Sequence, residues 1–311
     1  AYALAFSSVQ MMKNLNLWKK IEGTAQPISN IKVSHGTIER GPASATLQFN
    51  NADIEESPMA QMLEDRFLRQ CLIQEIKEDN LIDLIEQKKI IEIDDLNKQK
   101  QLTLDNGSKL KTSLIVASDG INSPTAKAFG IKKAGWKYKQ RGLVCAVNHE
   151  YSSNNTAYQY FLPEGPLAIL PIKNNTASIV WTESIQNAAT ISEMSEAEYL
   201  SVLQNRFGDF LGKLKLTGKR LSFPLKLSIS EKYVSDKFAV IGDAAHGYHP
   251  IAGQGLNAGL RDIAALVDVI SCARERGEDF SSINILNRYQ EWRRFDNQTL
   301  GFATDNLNKI F

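Results

Sequence analysis

Apolar residues along this chain change their period several times, and each change predicts a different element. Phe238-Ala239-Val240-Ile241 is a short unbroken apolar run, of the kind that forms a strand buried on both faces of an α/β sheet. Gly242-Asp243 ends the run, and open α/β sheets bind ligands just outside the carboxyl ends of their strands. Past Pro250 and the Gly253-Gln254-Gly255 turn the period becomes helical, marked by Leu256, Leu260, Ile263, Leu266 and Val267. The N–H groups of Gly255, Leu256 and Asn257 open that helix. There they lack intrahelical partners and, with the helix dipole, make a site for negative charge.

Helical spacing also runs over residues 6–21, Met59–Ile76, Ser192–Phe210 and Ile283–Phe311. Ser195 with Glu198 has the spacing of a capping box. Alternation of period two marks Ile31–Ser34 and Ala45–Phe49, with Gly36, Gly41 and Pro42 supplying turns. It continues through Leu81–Ile85, Ile90–Ile93 and Gln101–Leu104 to the hairpin signal Asp105-Asn106-Gly107. The returning strand leads to Leu114–Ser118, which Asp119-Gly120 ends. Gly142–Glu150, Ala157–Pro163, Leu167–Ile172, Ala177–Thr182 and Leu221–Leu227 complete an antiparallel block. That block predicts a pocket floor, with Tyr158, Tyr160, Phe161 and Trp181 as candidate lining or as sheet-face packing.

Composition narrows the classes without naming one. A chain of 311 residues with 43% hydrophobic residues can hold one large domain or two ordinary ones. A net charge of +1 gives no general pull toward nucleic acid, and no nucleic-acid partner is expected. Cys71, Cys145 and Cys272 lie far apart, which predicts a reducing compartment and no disulfide framework. No apolar run reaches the roughly 18 residues needed to span a bilayer, so a cytoplasmic protein is expected. Lys132–Arg141 interleaves basic and aromatic residues, as a strand start or, alternatively, as a membrane-surface contact. Asp243-x-x-His246-x-x-His249 has a metal-like composition, but a loop does not bring such positions onto one face, and no metal is expected.

Gly242-Asp243-Ala244-Ala245-His246, Pro250 and Gly253-Gln254-Gly255-Leu256-Asn257 together resemble the second FAD fingerprint of the single-component aromatic-ring hydroxylases. Residues 249–262, HPIAGQGLNAGLRD, are similar to the ubiquinone-biosynthesis branch, as are Gly165–Pro171 and Val180-Trp181-Thr182. Asp119-Gly120-x-x-Ser123 resembles the family's third fingerprint, with Ala126 standing where an arginine is frequent. The resemblance implies an α/β (α+β) fold in which an incomplete Rossmann-like FAD-binding domain is interleaved with an antiparallel-sheet substrate domain, as in the p-hydroxybenzoate hydroxylase-like fold. The cofactor domain would hold residues 1–24, 62–138 and 232–275, the substrate domain 25–61 and 139–231, and a helical segment 276–311.

It further implies FAD as cofactor, NAD(P)H as transient reductant, and hydroxylation of a polyprenylated phenol by O2. Asp243 would hold the ribityl chain, with Gly242, Gly253, Gly255, Leu256 and Asn257 around the flavin and Asp119-Gly120 at a neighbouring strand end. Pro250 would shape the edge of the ring. His249 is open between a general base, given an ordinary pKa near the working pH, and a brace for the backbone. Asp65 would lie near the flavin phosphates or simply pair with Arg69. A lipid substrate would bring the protein to a membrane surface, alongside other ubiquinone-pathway proteins. No Gly-x-Gly-x-x-Gly follows a strand in this sequence, so the chain reads as a fragment shortened at both ends, binding FAD more weakly than a whole protein. A flavoprotein acting on another aromatic, or a cofactor-free scaffold, are the alternatives.

Overall fold

The structure is a computed structural model that describes residues 1–37, 41–53 and 58–310. Strand β1 (Tyr2–Ala5) feeds helix α1 (Phe6–Asn14), and α2 (Trp18–Ile21) follows. The helical spacing over 6–21 is thus broken, because Asn16 takes a left-handed turn at φ 56° between the two. Strands β2 (Gln26–Ile28), β3 (Asn30–Thr37) and β4 (Gly41–Asn50) come next. Gly36, Gly41 and Pro42 belong to β3 and β4 rather than to turns; the connection between them lies outside the described residues. The span expected to be one helix from Met59 divides into β5 (Ala60–Leu63) and α3 (Asp65–Glu78). Tertiary pairing overrides the helical spacing there, since β5 is flanked antiparallel by β1 on one side and β2 on the other.

β6 (Ile90–Leu96), β7 (Gln99–Leu104) and β8 (Lys109–Thr112) form a separate meander, with the expected turn at Gly107. Leu81–Ile85 forms no strand; Leu81 is 94% exposed, so alternation with nothing to pair against left it as coil. β9 (Ile115–Ala117) precedes α4 (Pro124–Ala128).

A large sheet follows, from β10 (Lys133–His149), β11 (Thr156–Leu162), β12 (Gly165–Ile172) and β13 (Thr176–Ser184). Helices α5 (Ile185–Glu193) and α6 (Glu196–Phe207) replace the single helix expected over 192–210. The Ser195–Glu198 capping box is present and starts α6, which is why the helices separate there. β14 (Leu214–Ser230), β15 (Val234–Ser235), β16 (Phe238–Val240) and β17 (His246–Gly247) lead to the long helices α7 (Gly255–Glu275) and α8 (Ile283–Ile310). The sheet runs β17-β14-β10-β13-β12-β11-β3-β4, and Lys132–Arg141 is largely the first half of β10, paired to β14.

Directly paired residues share a face, so the register assigns the two sides of this sheet. Leu143, Trp181 and Leu167 form one cross-strand row, buried under α5 and α6 with Tyr160 and Tyr199. Tyr160 and Trp181 therefore pack a core beneath helices and line no cofactor pocket, and Tyr158 leans on the same core. The opposite face carries Leu170 and Ile31, which pack with Ile28 and Met62 of the smaller β1-β5-β2 sheet. On that face one row crosses seven strands. Leu47 pairs with Val33, which neighbours Gln159 and then Ala168. Val180, Val144 and Leu221 continue it to β14. None of the seven is buried, and its ends Leu47 and Leu221 are 61% and 49% exposed.

Candidate active site

β16 is an apolar strand of fully buried residues, and it lies parallel to β9 with Val240 beside Ala117. Parallel pairing brings the two strand tips together. Asp119-Gly120 and Gly242-Asp243, more than 120 positions apart in the chain, therefore leave the sheet side by side. Lys133 spans them: its ammonium donates to the carbonyls of Ile121 at 2.9 Å and Asp243 at 3.2 Å. Burial, and then the charge of Lys226, pull its pKa below that of an ordinary lysine. Sequence reasoning passed Lys133 over as part of a basic-aromatic run; only the fold brings it to the strand ends.

The Asp119 carboxylate is taken up locally. It accepts from the Ser123 hydroxyl and from the Thr125 N–H at 3.1 Å, while Ser123 caps α4 through the Ala126 N–H. Burial works against ionisation of Asp119, but those hydrogen bonds outweigh it and hold its pKa below the usual carboxylate range. Gly120 takes φ 85°, the left-handed turn that ends β9.

Asp243 differs. Its carboxylate is exposed and takes no hydrogen bond among the described residues. Gly242, at φ 56°, makes the sharp turn that presents it. The second turn of α7 lies alongside, because Gly259 lets the helix approach until a Cβ built there would stand 3.2 Å from the Gly242 Cα. Helix α7 starts with no side-chain cap, after Gly253 in the left-handed region at φ 59°. A Cβ built on Gly255 meets nothing within 4 Å. No side chain from Gly255 crowds the start of the helix, whose first N–H groups have no intrahelical partner.

Asn257 departs from a simple ligand role. Its side chain is buried, donating to the Ala3 carbonyl at 2.8 Å and accepting from Ala5 N–H and the Ser8 hydroxyl. It ties α7 to β1 and α1, leaving only its backbone N–H for the helix mouth. Pro250 is half-buried and opens a short helical turn, Pro250–Ala252. Asp65 accepts from Tyr2 Oη at 2.9 Å and pairs with Arg69 at 2.9 Å.

His249 has no ordinary pKa. The ring is 1% exposed, faces Tyr138 edge-on at 5.1 Å, and neither nitrogen has a hydrogen-bond partner among the described residues. Burial lowers its pKa to about 4, with Asp305 pulling weakly the other way. A base poised near neutral pH is thereby corrected to a neutral, enclosed imidazole. His246 is likewise buried, with Nε2 2.6 Å from Asp262 Oδ2.

An exposed carboxylate at a strand tip beside an uncapped helix mouth suits a polyol attached to a delocalised anion, and these residues fit FAD. Residues 1–298 match the family model described as FAD binding domain. Ubiquinone hydroxylase UbiL of Rhodospirillum rubrum is 33% identical over 99% of this chain and 71% of its own length. The 3-demethoxyubiquinol 3-hydroxylase of Escherichia coli is 30% identical over 95% of this chain and 74% of its own. The chain belongs to the FAD-dependent aromatic-ring hydroxylases, in the branch of the ubiquinone hydroxylases. The fold agrees: the crystal structure of pqsL, a probable FAD-dependent monooxygenase from Pseudomonas aeruginosa, superposes with a TM-score of 0.84 at 20% identity, over 99% of this chain and 85% of that one.

Proposed function

We propose that this FAD-dependent monooxygenase hydroxylates a polyprenylated phenol of ubiquinone biosynthesis, with NAD(P)H as reductant. One observation favours a long apolar substrate: the unburied row from Leu47 to Leu221 on the sheet face that also meets the small β1-β5-β2 sheet. Six inter-strand steps of about 4.8 Å make it about 29 Å long. Apart from Gln159 every side chain in it is apolar, with the two ends exposed and the five residues between them half-buried. A water-soluble hydroxybenzoate has no use for such a track, whereas a prenyl tail gains about 25 cal/mol for each Å² it withdraws from water. The names of the two relatives support the same class.

Bound FAD would supply the redox and oxygen chemistry. Among this chain's residues, Asp243 accepts hydrogen bonds from the polyol, and the N–H groups of Gly255, Leu256 and Asn257 favour negative charge on the ring. Gly242 and Gly253 keep the backbone turns that give access. Asp119-Gly120, through Ser123 and Lys133, hold the neighbouring strand end in place. Pro250 borders the ring and excludes water there. His249 braces the segment that carries Pro250, from beneath. In this reading residues 1–24, 62–138 and 232–275 serve the cofactor, and 25–61 and 139–231 the substrate. A prenylated substrate also brings the enzyme to a membrane surface without a crossing helix; no helix among the described residues is long and apolar enough to cross.

Oxygen uptake by the holoenzyme with NADH or NADPH tests the assignment. A prenylated phenol should stimulate uptake and gain one hydroxyl, while 4-hydroxybenzoate should do neither. Equal stimulation by both substrates would contradict it.

A further inference from the structure

Asp262, on α7, is a buried carboxylate with four hydrogen-bond partners among the described residues. It is fully buried. Its Oδ2 accepts from the Gly242 N–H at 3.0 Å and from His246 Nε2 at 2.6 Å. Its Oδ1 accepts from Arg293 Nε at 2.8 Å and Asn297 Nδ2 at 3.2 Å. Arg293 donates in turn to Asn297 Oδ1 at 3.1 Å and pairs through Nη1 with Asp296 at 2.6 Å. Both Arg293 and Asn297 come from α8, which the sequence suggested only as a helical segment.

A carboxylate can take about four hydrogen bonds, and these four occupy both oxygens. One of them runs to the Gly242 N–H just before Asp243, one to His246 three residues after it, and two to α8, so the segment that carries Asp243 and the far helix are joined through one buried charge. Without Arg293 that charge would be left without its cationic partner, and a lone buried charge is strongly disfavoured. We infer that Arg293 and Asn297 are positioning residues for the flavin: acting through Asp262, they fix the Gly242–Asp243 turn in the left-handed geometry that presents the Asp243 carboxylate. The inference rests on Asp243 binding the cofactor. It makes α8 part of the cofactor site although no α8 side chain touches the ligand.

FAD titrations into apoprotein, followed by flavin fluorescence, with melting temperatures measured alongside, separate positioning from mere stability. Arg293→Gln should raise the FAD Kd at least tenfold, and Arg293→Lys should recover part of that loss. Tyr289→Phe is the control: it removes the 2.8 Å bond from the same helix to the Val240 carbonyl, which anchors the strand but not the turn. It should lower the melting temperature yet leave the Kd within about twofold. Should Arg293→Gln fail to fold, Asn297→Ala removes the longest of the four bonds together with the Arg293–Asn297 bond and should still raise the Kd about threefold. Equal Kd changes for Arg293→Gln and Tyr289→Phe, or none for Arg293→Gln or Asn297→Ala, overturn the inference. Asp243→Ala, titrated in parallel, tells the two failures apart. If it weakens FAD while the α8 variants do not, α8 has no positioning role; if it leaves FAD unchanged, the placement of the cofactor itself is wrong.

Discussion

At the scale of single residues, burial decides what each ionisable group can do. His249 has its pKa lowered to about 4, against about 6.5 in an unfolded chain. The unfolded state therefore binds the extra proton first. Stability contributed by the neutral ring is complete above about pH 6.5 and is lost as the pH falls toward 4, by about 3 kcal/mol in total. Urea unfolding between pH 7 and 4 should show this slope in the wild type and a shallower one in His249→Gln; parallel slopes would contradict the assignment. Sequence spacing located His249, Asp243 and Asp119 but not their surroundings. A residue's pKa depends on what the fold stacks against it, and Tyr138 and Asp305 lie 111 and 56 positions away. Lys133 and Asp262 stayed invisible for the same reason, since each acts through partners distant in the chain.

At the scale of elements, close approach sets how α7 meets the Gly242 turn, and capping sets where α6 starts. Gly259 leaves no room for a side chain against Gly242, whereas Gly255, one turn earlier on α7, leaves ample room. Gly259→Val should cost about 2 kcal/mol by overpacking, and Gly255→Ala should stay within about 0.5 kcal/mol of wild type, both read by chemical denaturation. Equal effects would place the contact elsewhere. Ser195→Ala, which removes the α6 cap, should cost about 1 kcal/mol by the same measurement. The buried strand β16, helix α7 and the Ser195 cap were legible because each is specified by local pattern. The split of Met59–Ile76 into β5 and α3 was not: Ala60–Leu63 has helical spacing, and only two pairing strands make it extended. Leu81–Ile85 is the reverse case, a strand-like pattern with no partner.

At the scale of the whole molecule, the two proposed tasks fall on separate sheets: the cofactor cradle at the β9 and β16 tips of a three-stranded sheet, and the apolar track across the eight-stranded one. Leu221→Lys, at the exposed end of that track, should raise KM for a long-tailed phenol about fivefold, corresponding to ~1 kcal/mol of lost apolar contact. It should leave a short-tailed phenol unaffected; equal changes for both would remove the track from substrate binding. The family and its fingerprints were readable in the sequence, because they are contiguous. The track was not, because its residues come one from each of seven strands and meet only through register.

The flavin cradle itself is tested most directly by FAD titration of the wild-type protein and its Asp243→Ala variant. Because the Asp243 carboxylate is exposed and takes no hydrogen bond among the described residues, its loss should move the melting temperature by no more than about 2 °C. The FAD Kd should rise at least tenfold, about 1.4 kcal/mol. An unchanged Kd in a normally folded Asp243→Ala variant would contradict the placement of the cofactor at this strand tip.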